Sequence, residues 1–191
     1  MGGVDAVQGR VGAVLHGPPG ESGDERMLQR LADGGAAVTL ATAGTQGELG
    51  TASWQVLWPQ RGSEVFPPGN DQSVVLEVEG GGVPRALFLG DLSAEAQRML
   101  VRTAHLRGSY AVVKVAHHGS ADQDFALYQD LRPVDALFSA GIDNDYGHPR
   151  AESLASLEAA GARVLRTDQE GRLLVGLDGD ELQLWTERQP P

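Results

Sequence analysis

An aspartate and three histidines stand just beyond apolar, strand-like segments in the middle of the chain. Asp91 follows ALFLG, His117 and His118 follow AVVKVA, and His148 comes a short loop after VDALFSA. Ligand and catalytic side chains gather at strand ends, because strands are rigid and the loops after them are free to vary. Carboxylate and imidazole groups without thiols suit Zn²⁺ or Mn²⁺ with positions left open for water. We therefore expect these side chains to share one metal site.

The same residues suggest phosphoryl chemistry. Because a carboxylate has two oxygens, Asp91 could bridge two cations, and such a pair lowers the pKa of a shared water and clamps an in-line displacement. Side chains alternate across a strand end, so we expect His117 and His118 to point in different directions. One histidine would then bind metal while the other faces the substrate phosphate.

Two neighbours of the histidine pair fit an anion site. Gly119 allows a close approach of the backbone. Ser120 and Gln123 have the spacing of a capping box, which predicts a helix N-terminus beside the site. The N–H groups at such a terminus bind anions, so Ser120 is a candidate substrate-binding residue.

Each of these residues also has a structural interpretation when it is taken alone. Asp91 could cap the helix that follows it, His148 could be an N-cap, and His118 could be a hydrogen-bonded core histidine. Asn70 and Ser73, in PPGNDQS, suit an ordinary turn. The serial arrangement at three strand ends favours the site over these alternatives. His16 and His105 are interpreted as structural or solvent-facing.

The elements that must position these residues follow from apolar periodicity and from turn residues. Strands are predicted over residues 11–15, 36–42, 53–59, 73–79, 85–91, 111–116, 134–140, 162–167, 172–177 and 181–185. Helices are predicted over residues 4–8, 25–33, 94–104, 122–131 and 150–160, with Ser93 capping the third and Pro149 opening the last. A strand-rich first part and an alternating second part predict sheets flanked by helices in one mixed α/β domain.

Composition excludes several classes of protein. The 191 residues contain no cysteine, so disulfides, thiolate metal sites and cysteine nucleophiles are excluded. The net charge of −11 argues against nonspecific duplex binding by a broad basic face. No apolar run approaches the length of a membrane span, and the first residues lack the layout of a secretion signal. We expect this chain to be soluble, with no membrane insertion of its own.

Six segments together resemble a known family. They are GNDQSVVLEVE, LFLGDLSAEAQ, VVKVAHHGS, LRPVDALFSAG, DNDYGHPR and AAGARVLRTDQEG. In this order they resemble the C-terminal metallo-β-lactamase-fold domain of the ComEC family of DNA-uptake competence proteins, over residues 70–171. The resemblance implies an αββα sandwich.

The resemblance also implies a site and a cellular setting. The parent would be a channel in the bacterial cell membrane that imports single-stranded DNA, and this domain would degrade the other strand with two Zn²⁺ or Mn²⁺ ions. Asp91 would be the bridging metal ligand and His118 a second ligand. His117 and His148 would be catalytic residues near the phosphate, and Asn70 and Ser73 would border it. The partners implied are DNA and the channel domain of the same parent.

One feature of the superfamily is missing. Most metal ligands of these domains come from an early HxHxDH-type stretch, which does not occur here, and GGVDAVQGRVGAVL resembles the segment immediately downstream of that stretch. We therefore expect a partial domain over residues 1–185, lacking its first strands, with a frayed tail at 186–191. A fragment with two ligands is expected to hold metal weakly or not at all and to be inactive. The alternatives are a free-standing hydrolase of a small ester or nucleotide, and a non-catalytic remnant that binds DNA or a partner.

Overall fold

The computed structural model describes residues 7, 9–20, 22–106 and 108–189. The helix predicted over residues 4–8 lies largely outside this part of the chain. The described strands and helices agree with the mixed α/β class predicted from the sequence: a central sheet of several strands is flanked by helices, as in an α+β sandwich.

The strands follow the apolar segments of the sequence. They are β1 Ala13–His16, β2 Ala37–Leu40, β3 Gln46–Leu49, β4 Ala52–Trp58, β5 Val75–Gly80, β6 Val83–Phe88, β7 Val112–Lys114, β8 Asp135–Phe138, β9 Arg163–Arg166, β10 Leu173–Asp178 and β11 Glu181–Thr186. Among the described residues, β3 to β9 form one seven-stranded sheet in sequence order. β1 pairs with β2 in parallel, and β10 pairs with β11 as an antiparallel hairpin.

The central sheet changes character at β6. Its first four strands pair antiparallel, and a turn at Gly81 and Gly82 joins β5 to β6. From β6 to β9 the pairing is parallel. Parallel strands need crossover connections, and helices supply them here. The carboxyl ends of β6, β7 and β8 therefore meet at one edge of the sheet.

The helices occupy these connections. They are α1 Ser22–Asp33, α2 Ala94–Thr103, α3 Phe125–Leu131, α4 Ala151–Ala159 and the short α5 Thr167–Glu170, with a 3₁₀ turn at Asn70–Gln72 and a kinked turn at Ala116–Gly119. Ser93 caps α2 as predicted, since its side chain accepts a hydrogen bond from the N–H of Ala96. Gly161, at φ +84°, follows the end of α4, where a left-handed residue is favoured.

The core lies between the sheet and helices α2, α3 and α4. It is built from buried side chains on β6 to β8 and on these helices, among them Leu87, Val113, Phe138, Leu100, Leu127, Tyr128 and Leu157. Burial of each large side chain contributes about 1.5–3 kcal/mol relative to its exposure. This packing fixes the strand ends that carry the candidate site residues.

Two details of the prediction are wrong. The capping box of Ser120 and Gln123 does not form, because α3 begins only at Phe125 and the Gln123 amide donates to the carbonyl of Ala116 instead. Pro149 does not open α4, since Arg150 is its N-cap and the helix begins at Ala151. Strand β3 and helix α5 were not predicted. No helix in the described ranges is both long and apolar enough to cross a membrane.

Candidate metal site

The carboxyl ends of β6, β7 and β8 bring the candidate residues together. These three strands are neighbours, and Phe88, Lys114 and Leu137 are aligned across them. Asp91 lies three residues beyond the end of β6, and His118 lies four residues beyond the end of β7. The convergence expected from the sequence is therefore present for these two residues.

Asp91 and His118 face each other. Their nearest atoms, Oδ1 of Asp91 and Nε2 of His118, are 3.6 Å apart. Metal–oxygen and metal–nitrogen bonds of about 2.0–2.2 Å place neighbouring tetrahedral ligand atoms about 3.4 Å apart. The pair therefore has the spacing of two ligands of one ion, and both side chains are partly open to solvent.

The orientation of His118 suits a metal ligand. Its Nδ1 lies 2.6 Å from the carbonyl oxygen of Ser139 and 3.1 Å from the hydroxyl of the same residue. A carbonyl oxygen only accepts hydrogen bonds, so Nδ1 carries a proton and Nε2 is the ring nitrogen that faces Asp91. Metal-binding histidines are commonly fixed in this way by a backbone carbonyl. The sequence alone did not indicate this role for Ser139.

Ser73 supports the backbone at Asp91. The Ser73 hydroxyl accepts a hydrogen bond from the backbone N–H of Asp91, at 3.2 Å. Gly90 has φ +59°, and a Cβ atom there would lie 2.5 Å from Cβ of Ser73, so the close approach requires glycine. Ser73 follows the 3₁₀ turn that begins at the exposed residue Asn70.

The two adjacent histidines diverge for a reason other than strand alternation. Strand β7 ends before them, and both residues have left-handed backbone conformations, with φ 44° for His117 and φ 54° for His118. Such conformations are uncommon outside glycine and mark positions that the surrounding structure must hold. The N–H of His117 donates to the carbonyl of Gly90, which ties this turn to the loop that carries Asp91. The two rings are 6.4 Å apart and inclined by 68°.

His148 contacts His117 rather than the Asp91–His118 pair. The centroids of the His117 and His148 rings are 5.6 Å apart, in an edge-to-face arrangement. Partial burial lowers the pKa of His148, and the positive charges of His117, Arg150 and His118 lower it further, while Asp91 acts in the opposite direction. A histidine with a lowered pKa is neutral at pH 7, so it can accept a hydrogen bond or a proton.

Lys114, which the sequence offered only as one member of a possible basic rim, places a cation near Asp91. Burial lowers the pKa of its ammonium group, and the negative charge of Asp91 opposes that effect. Its Nζ donates to the carbonyl of Val115. A lysine at the end of a strand is usually solvated, so its sequence position gave no signal of this burial.

A cleft of about 670 Å³ opens beside Asp91. Gly90, Asp91 and Ser73 line one part of it, and His16 and Asp24 line another. His16 was interpreted from the sequence as structural or solvent-facing. The structure places it in the same cleft as Asp91, with its Nδ1 2.7 Å from the carbonyl oxygen of Gly17.

The described residues bring two candidate metal ligands together and no third. Within residues 9–20, 22–106 and 108–189, no group of three histidine or acidic side chains could hold an ion together. Ser120 is buried, and its carbonyl accepts a hydrogen bond from the Ser153 hydroxyl. The residues present therefore fit one side of a metal site, and the donor set is compatible with Zn²⁺ or Mn²⁺.

The fold and the site at the carboxyl edge of the sheet define a class of protein. It is an α+β sandwich in which a carboxylate and an imidazole converge at the ends of neighbouring strands. No protein-family model matches the chain. ComE operon protein 3 of Bacillus subtilis (strain 168) is 33% identical over 155 residues, which are 80% of this chain and 19% of that protein. Competence protein ComA of Neisseria gonorrhoeae is 33% identical over 109 residues, 56% of this chain and 16% of that protein. The chain thus spans less than a fifth of either relative, and the similarity supports a competence-protein family.

Proposed function

We propose that this chain carries part of the metal site of a phosphodiesterase, with a metallo-β-lactamase-like domain, that acts on DNA during DNA uptake. The observation that carries the proposal is the 3.6 Å separation of Asp91 Oδ1 and His118 Nε2, with Nδ1 of His118 bound to the carbonyl of Ser139. A separation of this size is that of neighbouring ligand atoms on one divalent cation.

The residues at the carboxyl edge of the sheet would have different roles in the reaction. A bound divalent ion would neutralise phosphate charge and lower the pKa of an attacking water. Asp91 and His118 would hold the cation, with Ser73 and Ser139 fixing the positions of these two residues through hydrogen bonds. His148, neutral at pH 7 because its pKa is lowered, accepts a proton or a hydrogen bond at the substrate, and His117 lies between it and His118.

The setting in DNA uptake rests on the relatives. One relative is named a competence protein and the other a ComE operon protein, and the similarity to the ComE operon protein covers 80% of this chain. This supports DNA uptake over the free-standing hydrolase that the sequence left open. DNA, the channel domain of a membrane-embedded parent and a pair of Zn²⁺ or Mn²⁺ ions are part of the proposal.

A non-catalytic role is the second candidate. It is favoured by the ligand count among the described residues, which stops at two, because catalytic zinc sites use three protein ligands. The net charge of −11 also opposes binding of a polyanion unless a local cation is present. Under this alternative the Asp91–His118 pair would bind no ion that affects turnover.

Hydrolysis by the longest polypeptide that the gene encodes separates the two candidates. With Mn²⁺ or Zn²⁺ added, we expect cleavage of single-stranded DNA, abolished in Asp91→Asn and His118→Gln. His105→Gln is the matched control, because His105 is exposed and lies two residues beyond the end of α2. Absence of metal-dependent cleavage in the wild type, or unchanged cleavage in Asp91→Asn, would remove the phosphodiesterase proposal.

A further inference from the structure

Four aromatic rings form a continuous row that leads away from Asp91. The ring of His118 lies next to His117, His117 lies next to His148, and His148 stacks on Tyr146, with centroid separations of 6.4, 5.6 and 6.0 Å. The row begins at the candidate metal ligand and ends in solvent. His117 and His148 have a place in the proposed chemistry, but Tyr146 has none.

Tyr146 is exposed to an unusual degree for an aromatic residue that is also stacked. It is 75% exposed. Its ring is inclined by only 28° to the ring of His148, so one face is occupied by His148 while most of the side chain remains open to solvent. An isolated exposed aromatic needs no explanation, but this one lies beside the two candidate catalytic histidines.

The loop that presents Tyr146 is held in place by side chains. Asn144 donates to the carbonyls of Gly141 and His148 and accepts a hydrogen bond from the N–H of His148. The Arg150 guanidinium donates to the carbonyl of Tyr146, at 2.9 Å. The ring is therefore presented from a braced turn, which reduces the entropy that a ligand must overcome on binding.

We propose that the free face of Tyr146 stacks with a nucleobase next to the phosphate at His117 and His148. The carboxyl edge of the sheet would thereby select unpaired nucleic acid. Stacking on an aromatic side chain requires a base whose face is accessible, which a duplex does not offer. Arg150 supplies a cation at the backbone carbonyl of Tyr146. Because Asp143 and Asp145 are exposed acids in the same loop, we expect the phosphate backbone to lie on the Arg150 side.

The inference rests on the proposed function for the position of the phosphate. It is carried by a different observation, and it is tested by binding rather than by hydrolysis. The readout is equilibrium binding in low-salt buffer of a fluorescent oligothymidylate and of an abasic strand of the same length. Loss of one base–aromatic stack is expected to weaken oligothymidylate binding by about 5- to 150-fold in Tyr146→Ala. Abasic-strand binding should be unchanged, and Tyr146→Phe should restore oligothymidylate binding.

Matched variants separate failure of the stacking inference from failure of the phosphodiesterase proposal. Leu49→Ala removes another highly exposed apolar side chain, on edge strand β3, and should bind both strands as the wild type does. Equal oligothymidylate binding by wild type and Tyr146→Ala, an equal loss for the abasic strand, or no detectable binding by the wild type would each overturn the inference. If stacking is found but Asp91→Asn leaves metal binding and hydrolysis unchanged, the stacking inference stands and the phosphodiesterase proposal fails.

Discussion

Gly119 lies directly against the ring of Phe138. A Cβ atom built on Gly119 would be 2.5 Å from Cδ1 of Phe138 and 2.9 Å from Cβ of Pro149, and the backbone there has φ +81°. The glycine that follows the two histidines is thus required twice, for its conformation and for its size. It lets β8 and the loop before α4 approach the turn that carries His118.

Gly119→Ala should therefore lower stability more than an ordinary glycine replacement. We expect a loss of about 2–4 kcal/mol in the free energy of unfolding, from overpacking and from the left-handed backbone. Gly44→Ala is the control, because Gly44 has φ +90° but nothing within 4 Å of its added Cβ, and should lose about 1 kcal/mol. Urea denaturation measures both values. Equal losses would mean that the contact with Phe138 is not restrictive.

Ser73→Ala tests whether the support behind Asp91 matters to metal binding. The substitution removes the acceptor for the Asp91 N–H, so we expect zinc affinity to fall about tenfold or more, as for other outer-shell partners. Stability should change by no more than about 1 kcal/mol. Ser53→Ala, which removes an exposed hydroxyl bound to the carbonyl of Glu79, should leave zinc affinity as it is. The same affinity in all three proteins would contradict the role given to Ser73.

The lowered pKa of His148 predicts opposite effects of two substitutions. His117→Gln removes a positive charge that lowers the pKa of His148, so the pKa should rise toward its ordinary value of 6.5. Asp91→Asn removes a charge that raises it, so the pKa should fall further. NMR titration of the histidine rings in metal-free protein measures both shifts, with His105→Gln as the control. Shifts of the same sign would show that these charges do not act on His148.

Glu77 should govern part of the acid stability of the sheet. Burial of this carboxylate, only 3% exposed, would by itself raise its pKa, but hydrogen bonds from Tyr110, Arg85 and Gln55 outweigh that effect and lower the pKa below 4.5. A lowered folded-state pKa means that this stabilisation is complete above pH 4.5 and is lost as pH falls through the folded value. Glu77→Gln should cost about 2–4 kcal/mol at pH 7.

The loss of stability caused by Glu77→Gln should depend on pH. The difference in unfolding free energy between the wild type and Glu77→Gln should shrink as the pH falls below 4.5. Glu79→Gln, at a half-exposed position of the same strand, should cost less than about 1 kcal/mol at any pH. Urea denaturation across this pH range measures all three proteins. A difference that does not change with pH would show that Glu77 is not ionised through these contacts.

Much of the fold could be predicted from the sequence because local signals agreed with it. Apolar runs marked β5 to β9, and Ser93 marked the start of α2. Strand β3 was missed because QGEL has one apolar residue and a glycine. The structure explains that glycine, since a Cβ on Gly47 would lie 2.5 Å from the Trp54 ring. A cross-strand contact of this kind cannot be read from local periodicity.

The candidate site was predictable in part for a similar reason. The convergence of Asp91 and His118 follows from parallel strands ending at one edge, which the alternating pattern indicated. The roles of Ser139 and Tyr146 depend on the paths of loops, which no periodicity describes. The capping box was wrong because residues 121–124 are not helical and α3 begins only at Phe125.

The most direct test is a titration of this chain with Zn²⁺, followed through the NMR signals of the His118 ring. If Asp91 and His118 share an ion, Zn²⁺ perturbs His118 with weak affinity, in the micromolar to millimolar range. Asp91→Asn then weakens binding by about tenfold or more, at least the loss caused by removing an outer-shell partner, while His105→Gln leaves it unchanged. Zinc that leaves His118 unperturbed, or that binds wild type and Asp91→Asn equally well, would contradict the shared site.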